Sequence, residues 1–488
     1  MTWNHRRRSA VWLGLRTLVA LALVPVVFPA LMSARQAASA GNGPVTAPVS
    51  FTKDIAPILQ RSCQGCHRPG AGAPMSLLTY EEVRPWVRAI KTKTGLRGKP
   101  GTMPPWYMEK NIGIQKYKND PSLSEEEITK IATWVDSGAP MGNPADMPPP
   151  LKFVDAADWQ VGQPDLIVST PPVEMKATSP DWWGPIGETP TGSTEDRYVA
   201  SVEYKEVSDF QAKADRRSIG GRFIFHHLGV RAVGEGESVD DAQGFPTHEV
   251  GRNADIFEPD AGRLLKAGSK LVFSSAHLHA NGGDVKAHVD IGFKFHPKGY
   301  RPAKTKVRRA GLFGNSMNLD IKPMEANQRF EAYTTLQDNA KVIAFEPHMH
   351  AAGVRMCLDA IGGAGMSVET LSCVGYDHSW VRIYTFANDA APLLPKGTIL
   401  RITGTFDNTP ANRNVVDPRN WSGLGHRSID NMMNSLGEVD YLTDDEFQAE
   451  MAQRRKSLGL KEGQSVIGCP LCGAPSKMPA RTTTDGQP

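Results

Sequence analysis

Histidines at short, regular spacings are the residues of this chain best suited to chemistry. His348 and His350 directly follow the apolar run 341–345. If that run is a strand, both histidines lie on one face, because side chains alternate along a strand. Two imidazoles on one face can hold a transition-metal ion such as copper, iron, nickel or zinc. Taken alone, the pair would fit surface or core histidines equally well. Comparable short segments contain four more histidines and two methionines: His226, His227, His277, His279, Met432 and Met433.

A second motif has the spacing of a covalent cofactor site. Cys63, Cys66 and His67 form CxxCH, in which the thiols bond to a porphyrin and the histidine is placed to bind its iron. A chance CxxC or a disulfide is the competing interpretation. The sixth ligand of a c-type haem is commonly a methionine, and Met103, followed by two prolines that fix the backbone, is the favoured candidate. Two other methionines remain alternatives: Met75 and Met108.

Helical patterns flank this motif on both sides. An apolar face precedes it, and Pro57 must then lie near the start of that helix. A capping box at Ser124 and Glu127 opens a closing helix. Together these elements resemble a class I cytochrome c domain, assigned to residues 41–145. The apolar residues predicted to line the two helices are Phe51, Ile55, Ile58 and Leu59, then Ile128, Ile131 and Val135.

The N-terminus has the composition of a targeting segment. Three arginines at 6–8 precede an apolar run at 18–31 and small residues at 37–40, so residues 1–40 are interpreted as a signal peptide. An uncleaved membrane anchor is the alternative. Removing five arginines and no acid changes the formal charge from +3 to −2, which argues against a nucleic-acid partner. We expect a periplasmic or secreted protein without a membrane span after cleavage.

Beyond residue 145 the sequence changes character. A proline-rich stretch, assigned as a linker over 146–160, predicts a semi-rigid spacer. Short alternating runs broken by Gly, Pro and Asp then indicate two antiparallel, jelly-roll-like β-sandwiches at 161–305 and 306–447. The expected fold class is therefore an α plus all-β multidomain protein, with a tail at 448–488. The runs that carry this prediction are 198–202, 222–225, 270–273, 287–293 and 399–403.

The remaining four cysteines suggest disulfides, which an exported protein can form. Cys357 and Cys373 flank a glycine-rich turn and predict a hairpin disulfide. Cys469 and Cys472 resemble half of a zinc ribbon without its second half, so a local disulfide in a flexible tail is expected. An exchange of partners between the two pairs remains open.

Over roughly residues 185–445, the histidine and methionine segments together resemble the type II copper monooxygenases. Peptidylglycine α-hydroxylating monooxygenase and dopamine β-monooxygenase typify that family. The resemblance implies two copper ions, one that supplies electrons and one at which O2 reacts with a substrate C–H bond. Three shorter stretches also match bacterial relatives: 195–198, 407–408 and 430–432. The implied ligand sets are His226, His227 and His277 for the first ion, then His348, His350 and Met432 for the second.

Several ligand assignments stay open. Neighbouring residues of a regular strand point to opposite faces, so His226 and His227 can share one ion only at a strand end or twist. His279 competes with His277, because the run before it is one residue longer than the family pattern. Met433 is a substitute for Met432, and core packing is the alternative for either methionine. Two further histidines are interpreted as structural or supporting residues: His378 and His426.

The substrate is not identified. Peptide-amidating relatives carry an arginine two residues before the HxH, where it binds the substrate carboxylate, and this chain has Glu346 there. We therefore do not expect peptide amidation. The function predicted from the resemblance is an exported, haem- and copper-containing monooxygenase acting on an organic substrate. Its electrons would come through the haem, from an ascorbate-like reductant or a redox protein. The competing hypothesis is a non-catalytic electron-transfer or metal-binding protein.

Overall fold

The computed structural model describes residues 48–473 except 70, 72, 74, 155–157, 210–222, 250–252, 258–259, 261–262, 304–308, 316–317, 363–364, 366, 379 and 428. The described residues belong to one compact unit. The predicted signal peptide and residues 474–488 lie outside them. No helix in the described part of the chain is both long enough and apolar enough to cross a bilayer.

Residues 50–150 form a helical unit around their own apolar core. A π-helical turn, Phe51–Ile55, continues into an α-helix, Ala56–Ser62, and Pro57 is the second residue of that α-helix. All four apolar residues predicted for this helix are buried. The other elements are α1 Ala56–Ser62, α2 Tyr80–Val83, the 3-10 turn Arg84–Trp86, α3 Val87–Thr94 and α4 Glu125–Asp136.

Helix α4 begins as predicted and packs slightly differently. The Ser124–Glu127 capping box is present, with both reciprocal hydrogen bonds. Ile128 and Ile131 are buried, whereas the core position beyond them is filled by Trp134 rather than Val135. The wider indole reaches the core and donates its Nε1–H to the carbonyl of Pro140 at 2.9 Å.

The proline-rich stretch around residues 140–150 is hydrogen-bonded to the helical unit. The backbone N–H groups of Phe51 and Thr52 donate to the carbonyls of Pro140 and Met141, each at 3.0 Å. Gln60 Nε2 donates to the carbonyl of Pro149 at 3.0 Å. Prolines lack an N–H but keep their carbonyl, so these residues serve as acceptors for the first helix. The segment, which includes the 3-10 turn Pro144–Asp146, therefore lies along the helical unit.

Two antiparallel sheets follow and pack face to face, which we call the first sandwich. Apolar residues from both sheets share one core. In β12, alternate residues from Val285 to Phe293 point inward, as the sequence alternation predicts. The first sheet contains β1 Leu166–Ser169, β2 Val173–Met175, β5 Arg197–Ser208, β9 Ala254–Ile256, β10 Arg263–Leu265 and β12 Val285–Phe295. The second contains β3 Trp182–Gly184, β4 Gly187–Pro190, β6 Phe225–Val233, β7 Gln243–Gly244, β8 His248–Glu249 and β11 Lys270–Leu278.

A second sandwich is built from the next two large sheets, again around one shared core. One sheet contains β13 Arg309–Asn315, β16 Asn339–Phe345, β17 Pro347–Met349, β20 Tyr384–Thr385, β21 Leu393–Leu394 and β24 Met433–Leu442. The other contains β15 Gln328–Thr335, β18 Gly353–Gly362, β19 Ser367–Gly375 and β22 Ile399–Phe406. A separate two-stranded ribbon joins β14 Asp320–Ile321 to β23 Ser422–Gly423. The antiparallel sandwich architecture predicted from the alternating runs is therefore confirmed.

Both predicted disulfides form. Cys357 and Cys373 lie directly opposite each other on β18 and β19 and are bonded. Cys469 bonds to Cys472, so the alternative exchange of partners is wrong.

The region around the second disulfide is not a flexible tail. Helix α5, Asp444–Leu458, opens with a capping box between Thr443 and Glu446. Cys469 and Cys472 are fully buried in a cluster with Phe447 and Met451 of α5. This small apolar cluster packs the disulfide against α5.

The helical unit docks onto the second sandwich through residues 107–118. Main-chain N–H groups of Glu109 and Ile114 donate to Cys373 and Leu371 of β19, each at 2.9 Å. Gly113 lies at φ +63°, and a Cβ there would approach the carbonyl oxygen of Leu371 to 2.4 Å. Only glycine allows so close an approach with that backbone conformation. The Glu109 carboxylate also accepts two hydrogen bonds from Arg355, at 2.5 and 2.9 Å.

Candidate metal centre

A β-bulge brings His226 and His227 to the same side of β6. The pairing of β11 with β6 shifts register between His277 and Leu278, so that His226 has no direct partner. Such an extra residue bends a strand and redirects its side chains. The two rings consequently lie 4.3 Å apart. This bulge is the local distortion that two adjacent ligands require, and nothing in residues 222–233 alone marks its position.

His277 stands directly opposite His227 on the neighbouring strand. It is buried, and its Nε2 lies 3.4 Å from a carboxylate oxygen of Asp181. Its Nδ1 has no hydrogen-bond partner among the described residues, which leaves a lone pair for a metal. His279 follows the strand, is partly exposed and stacks on His226 at 4.5 Å. The geometry therefore favours His277 as the third ligand and places His279 at the rim.

The nitrogen donors of this first set fit a single ion. Nδ1 of His226 and Nε2 of His227 converge to 3.0 Å. Two nitrogens bound to one ion at about 2.0–2.1 Å would lie about 3 Å apart, so the distance matches shared coordination. One ligand atom from each of His226, His227 and His277 lies within 4.8 Å of the others. Three neutral imidazoles are a suitable donor set for copper.

The second set lies on β17 and beside β24. His348 and His350 are both buried, and their rings lie 5.5 Å apart. His348 pairs with Asn434 and Met349 with Met433. Continuing this register by one residue sets Met432 opposite His350, on the face that His348 shares. Met433 faces the other way, since its sulfur would meet a Cβ placed on Gly404 in the sandwich core at 2.4 Å.

The two sets form one cluster instead of two distant sites. The ring of His227 in the first sandwich lies 4.9 Å from that of His348 in the second. His378 lies between the two sets, and its ring is 5.9 Å from that of His226 and 5.7 Å from that of His350. Seven imidazoles of the described chain take part: His226, His227, His277, His279, His348, His350 and His378.

Burial favours the neutral form of several of these imidazoles. It lowers the pKa of His348 to about 3 and that of His350 to about 2, with the neighbouring imidazoles adding to the effect. Burial also lowers the pKa of His279 to about 4, although Asp181 acts in the opposite direction. The pKa values of His226 and His227 fall well below the ordinary value for the same reasons. Neutral imidazoles present the lone pairs that metal ions bind.

Acid should therefore destabilise the metal-free protein. Below the unfolded-state pKa of about 6.5, histidines of the unfolded chain are protonated, whereas the buried histidines of the folded chain stay neutral. The free energy of unfolding therefore decreases as pH falls. We expect a loss of about 1 kcal/mol per buried histidine per pH unit below that value. Urea unfolding of copper-free protein from about pH 7.5 to about pH 4.5 measures it. Copper should raise the stability at each pH without flattening the profile, because imidazoles bound to metal take up no protons. A flat profile in metal-free protein would contradict the assignment of neutral histidines.

Separate substitutions distinguish the two candidates for the third ligand. His277→Ala should reduce bound copper from two ions to one per chain, because it removes the buried donor opposite His227. His279→Ala should leave both ions bound, because that ring lies at the rim. Metal analysis after dialysis is the measurement. The reverse result would assign the ligand to His279.

Sequence reasoning missed several residues of the cluster. Glu249, fully buried on β8, contacts His227, and Asp181 contacts His277. Trp183 packs between His277 and His426, which is itself exposed. No sequence pattern marks these residues, and Glu249 and Trp183 reach the histidines through sheet pairing. Glu346 is also buried beside the HxH strand, a position that its charge does not suggest.

The CxxCH motif lies at the end of α1. Cys63 and Cys66 are free thiols, whereas the equally spaced Cys469 and Cys472 form a disulfide. The ring of His67 is buried, which lowers its pKa, while a hydrogen bond to the backbone of Met75 partly opposes the shift. That contact turns one ring nitrogen toward the Met75 backbone and leaves the other for iron. Two free thiols beside a buried histidine are the groups that covalent attachment of a haem requires, and Met103, Met75 and Met108 remain the candidates for the opposite ligand.

A c-type haem should be detectable directly. Purified mature protein should show a c-type absorbance spectrum and keep its haem after denaturation, because two thioether bonds hold it. Met103→Ala should remove the sulfur–iron band near the red edge of the oxidised spectrum. Met75→Ala and Met108→Ala serve as matched controls. Haem that extracts into acidified solvent would rule out covalent attachment, and loss of the band in a control would reassign the ligand.

Comparison with known proteins adds no family. No protein-family model matches the chain, and no curated protein matches it. Among solved structures it is similar to broad bean stain virus, at 7% identity over 54% of this chain and 89% of that chain, with a TM-score of 0.25. It is also similar to the cowpea mosaic virus top component, at 10% identity over 60% of this chain and 95% of that chain, with a TM-score of 0.26. A third similar structure is N-glycanase F, at 9% identity over 57% of this chain and 96% of that chain, with a TM-score of 0.23. Scores this low carry no argument about fold or function.

Proposed function

We propose that this protein is an exported, haem- and copper-dependent monooxygenase that uses O2 to hydroxylate a C–H bond of an organic substrate. The observation that carries the proposal is the contact between a three-histidine set and an HxH set whose strand pairs with β24, the strand that begins directly after Met432. Bound copper would supply single-electron steps and the reaction with O2. The haem assignment rests on the CxxCH motif and its free thiols.

The residues of each set have distinct tasks in this proposal. His226, His227 and His277 hold a copper ion with nitrogen donors alone, an arrangement suited to passing electrons. His348 and His350 hold the other ion in a buried environment, and their burial keeps water away from it. Met432 adds a thioether, which favours the reduced ion that reacts with O2. Contact between His227 and His348 gives electrons a short route between the sets.

The position of the helical unit supports a role for haem as an electron relay. The carboxylate of Asp377 accepts hydrogen bonds from Gly101 N–H at 2.9 Å and Tyr107 O–H at 3.1 Å. Both donors lie close to Met103 in sequence, and the residue after Asp377 is His378 of the cluster. The haem-binding segment and the histidine cluster are thus connected through two consecutive residues of the second sandwich.

The test is product formation that depends on O2. Copper-replete protein and a reductant are incubated with a metabolite extract under isotopically labelled O2. The expected result is a product that carries one labelled oxygen atom and is absent from copper-free protein. Reversible reduction of haem and copper without any labelled product would instead support the non-catalytic electron-transfer hypothesis.

A further inference from the structure

Glu249 lies between the two histidine sets and contacts one member of each. It is 1% exposed, in the short strand β8, and stands directly opposite His227 on β6. One of its carboxylate oxygens contacts Nδ1 of His227. Its other oxygen lies 4.0 Å from Nδ1 of His348 in the second sandwich. A single carboxylate therefore faces the same ring nitrogen of two histidines from two different sandwiches.

The contact with His227 determines which of its nitrogens can bind metal. A neutral imidazole has one N–H and one lone pair. The negative carboxylate oxygen in contact with Nδ1 favours the proton on that nitrogen, so the lone pair resides on Nε2. That Nε2 is the atom that converges with Nδ1 of His226 at 3.0 Å. Carboxylates that hold a ligand histidine in this way fix its tautomer and raise its basicity.

The same reasoning applies to His348 at longer range. A distance of 4.0 Å exceeds a hydrogen bond but lies within ion-pair reach in a buried environment, where screening is weak. The negative potential of Glu249 favours the N–H on Nδ1 of His348 and leaves Nε2 with the lone pair. Asp181 differs in this respect, because it reaches only His277 and His279, both in the first sandwich.

We propose that Glu249 is a positioning residue shared by both metal sets, so that one carboxylate sets the tautomer of a ligand histidine in each. The inference rests on the proposed function insofar as both sets bind copper. It adds a carboxylate that acts through His227 and His348 rather than on the metal itself. The two sites then depend on one common residue at the junction of the sandwiches.

The shared role of Glu249 is tested by measuring the copper affinity of each site separately. The haem-containing mature protein is titrated with Cu(I) against a chromogenic chelator, in a His226→Ala background to isolate the second site and in a His348→Ala background to isolate the first. Glu249→Gln keeps the shape but removes the negative charge and replaces one accepting oxygen with a donating NH2 group. We expect it to lower the affinity of both sites by about 10- to 100-fold.

Two matched variants define the pattern. Asp181→Asn should weaken the first site alone. Glu203→Gln, at a buried carboxylate of the first sandwich that accepts a hydrogen bond from Val161 N–H at 3.0 Å, should weaken neither. An effect of Glu249→Gln on one site alone, or on neither, would overturn the inference. Absence of copper binding by the unmodified protein would instead overturn the proposed function.

If Glu249→Gln does not fold, the inference can still be tested on protein that retains Glu249. Pulsed electron paramagnetic resonance of Cu(II) reports hydrogen bonding at the remote nitrogen of a coordinated imidazole. In the His226→Ala background, one imidazole of the second site should show a remote nitrogen whose quadrupole coupling is shifted from that of solvent-exposed imidazole by the carboxylate 4.0 Å away. A spectrum in which every remote nitrogen resembles that of solvent-exposed imidazole would refute the shared role.

Discussion

Met432→Ala should abolish O2-dependent product formation and leave the fold intact, whereas Met433→Ala should destabilise the fold. Met432 continues the register that faces His350, so its loss removes the soft donor of the second set. We expect activity to fall by roughly 100-fold or more. Residues that only support a metal ligand cost about 10- to 100-fold when mutated, and a ligand should cost at least as much. Met433 is fully buried in the second sandwich, and its truncation should cost about 2–5 kcal/mol.

The pair is informative because the two methionines are neighbours with opposite environments. Product formation, copper content and urea unfolding are measured for both variants. Met432→Ala should retain the copper of the first set and the unfolding midpoint. If Met433→Ala loses activity at unchanged stability while Met432→Ala does not, the thioether ligand is Met433 and the proposed register of the site is wrong.

Haem reoxidation by O2 should be an intramolecular process in copper-loaded protein. The segment that carries Met103 is bonded to Asp377, and His378 beside it lies 5.9 Å from His226. The rate should therefore be independent of protein concentration. His226→Ala should lower it by roughly tenfold or more, equivalent to about 1.4 kcal/mol in the barrier. Rapid mixing of reduced, copper-loaded protein with O2, followed at the haem band, measures the rate.

Two controls separate this route from others. Copper-free protein should reoxidise slowly, because direct reaction of the haem with O2 lacks the relay. Glu203→Gln, remote from the cluster, should leave the rate unchanged. A rate that rises with protein concentration, or that is unchanged without copper, would show that the haem serves another partner.

Local sequence patterns predict those features that depend on nearest neighbours. Alternation along a strand predicts His348 and His350 on one face, and their rings lie 5.5 Å apart. The glycine-rich turn between Cys357 and Cys373 predicts a hairpin whose cysteines are directly opposed. The capping box at Ser124 is similarly local. An equivalent signal at Thr443 and Glu446 marks the start of α5, which the predicted tail omitted.

Other features depend on contacts between distant segments. The bulge at His226 follows from the pairing of β6 with β11, which no window of a few residues contains. The approach of His227 to His348 depends on how the two sandwiches pack. Glu249 reaches both rings for the same reason. The proline-rich segment becomes ordered because its carbonyls meet the start of the first helix, a contact across most of the helical unit.

Docking of residues 107–118 has a consequence for the modularity of the chain. Strand β19 is the last strand of its sheet, and its outer edge is paired by main-chain bonds to this segment: Glu109 to Cys373, Ile114 to Leu371, and Gly375 to Tyr107. An unpaired edge is a template for association with other chains. The helical unit thus shields a sheet edge as well as carrying a haem motif. Sandwiches produced without it would expose that edge and self-associate, so the three parts are interdependent for solubility and cannot be exchanged as independent modules.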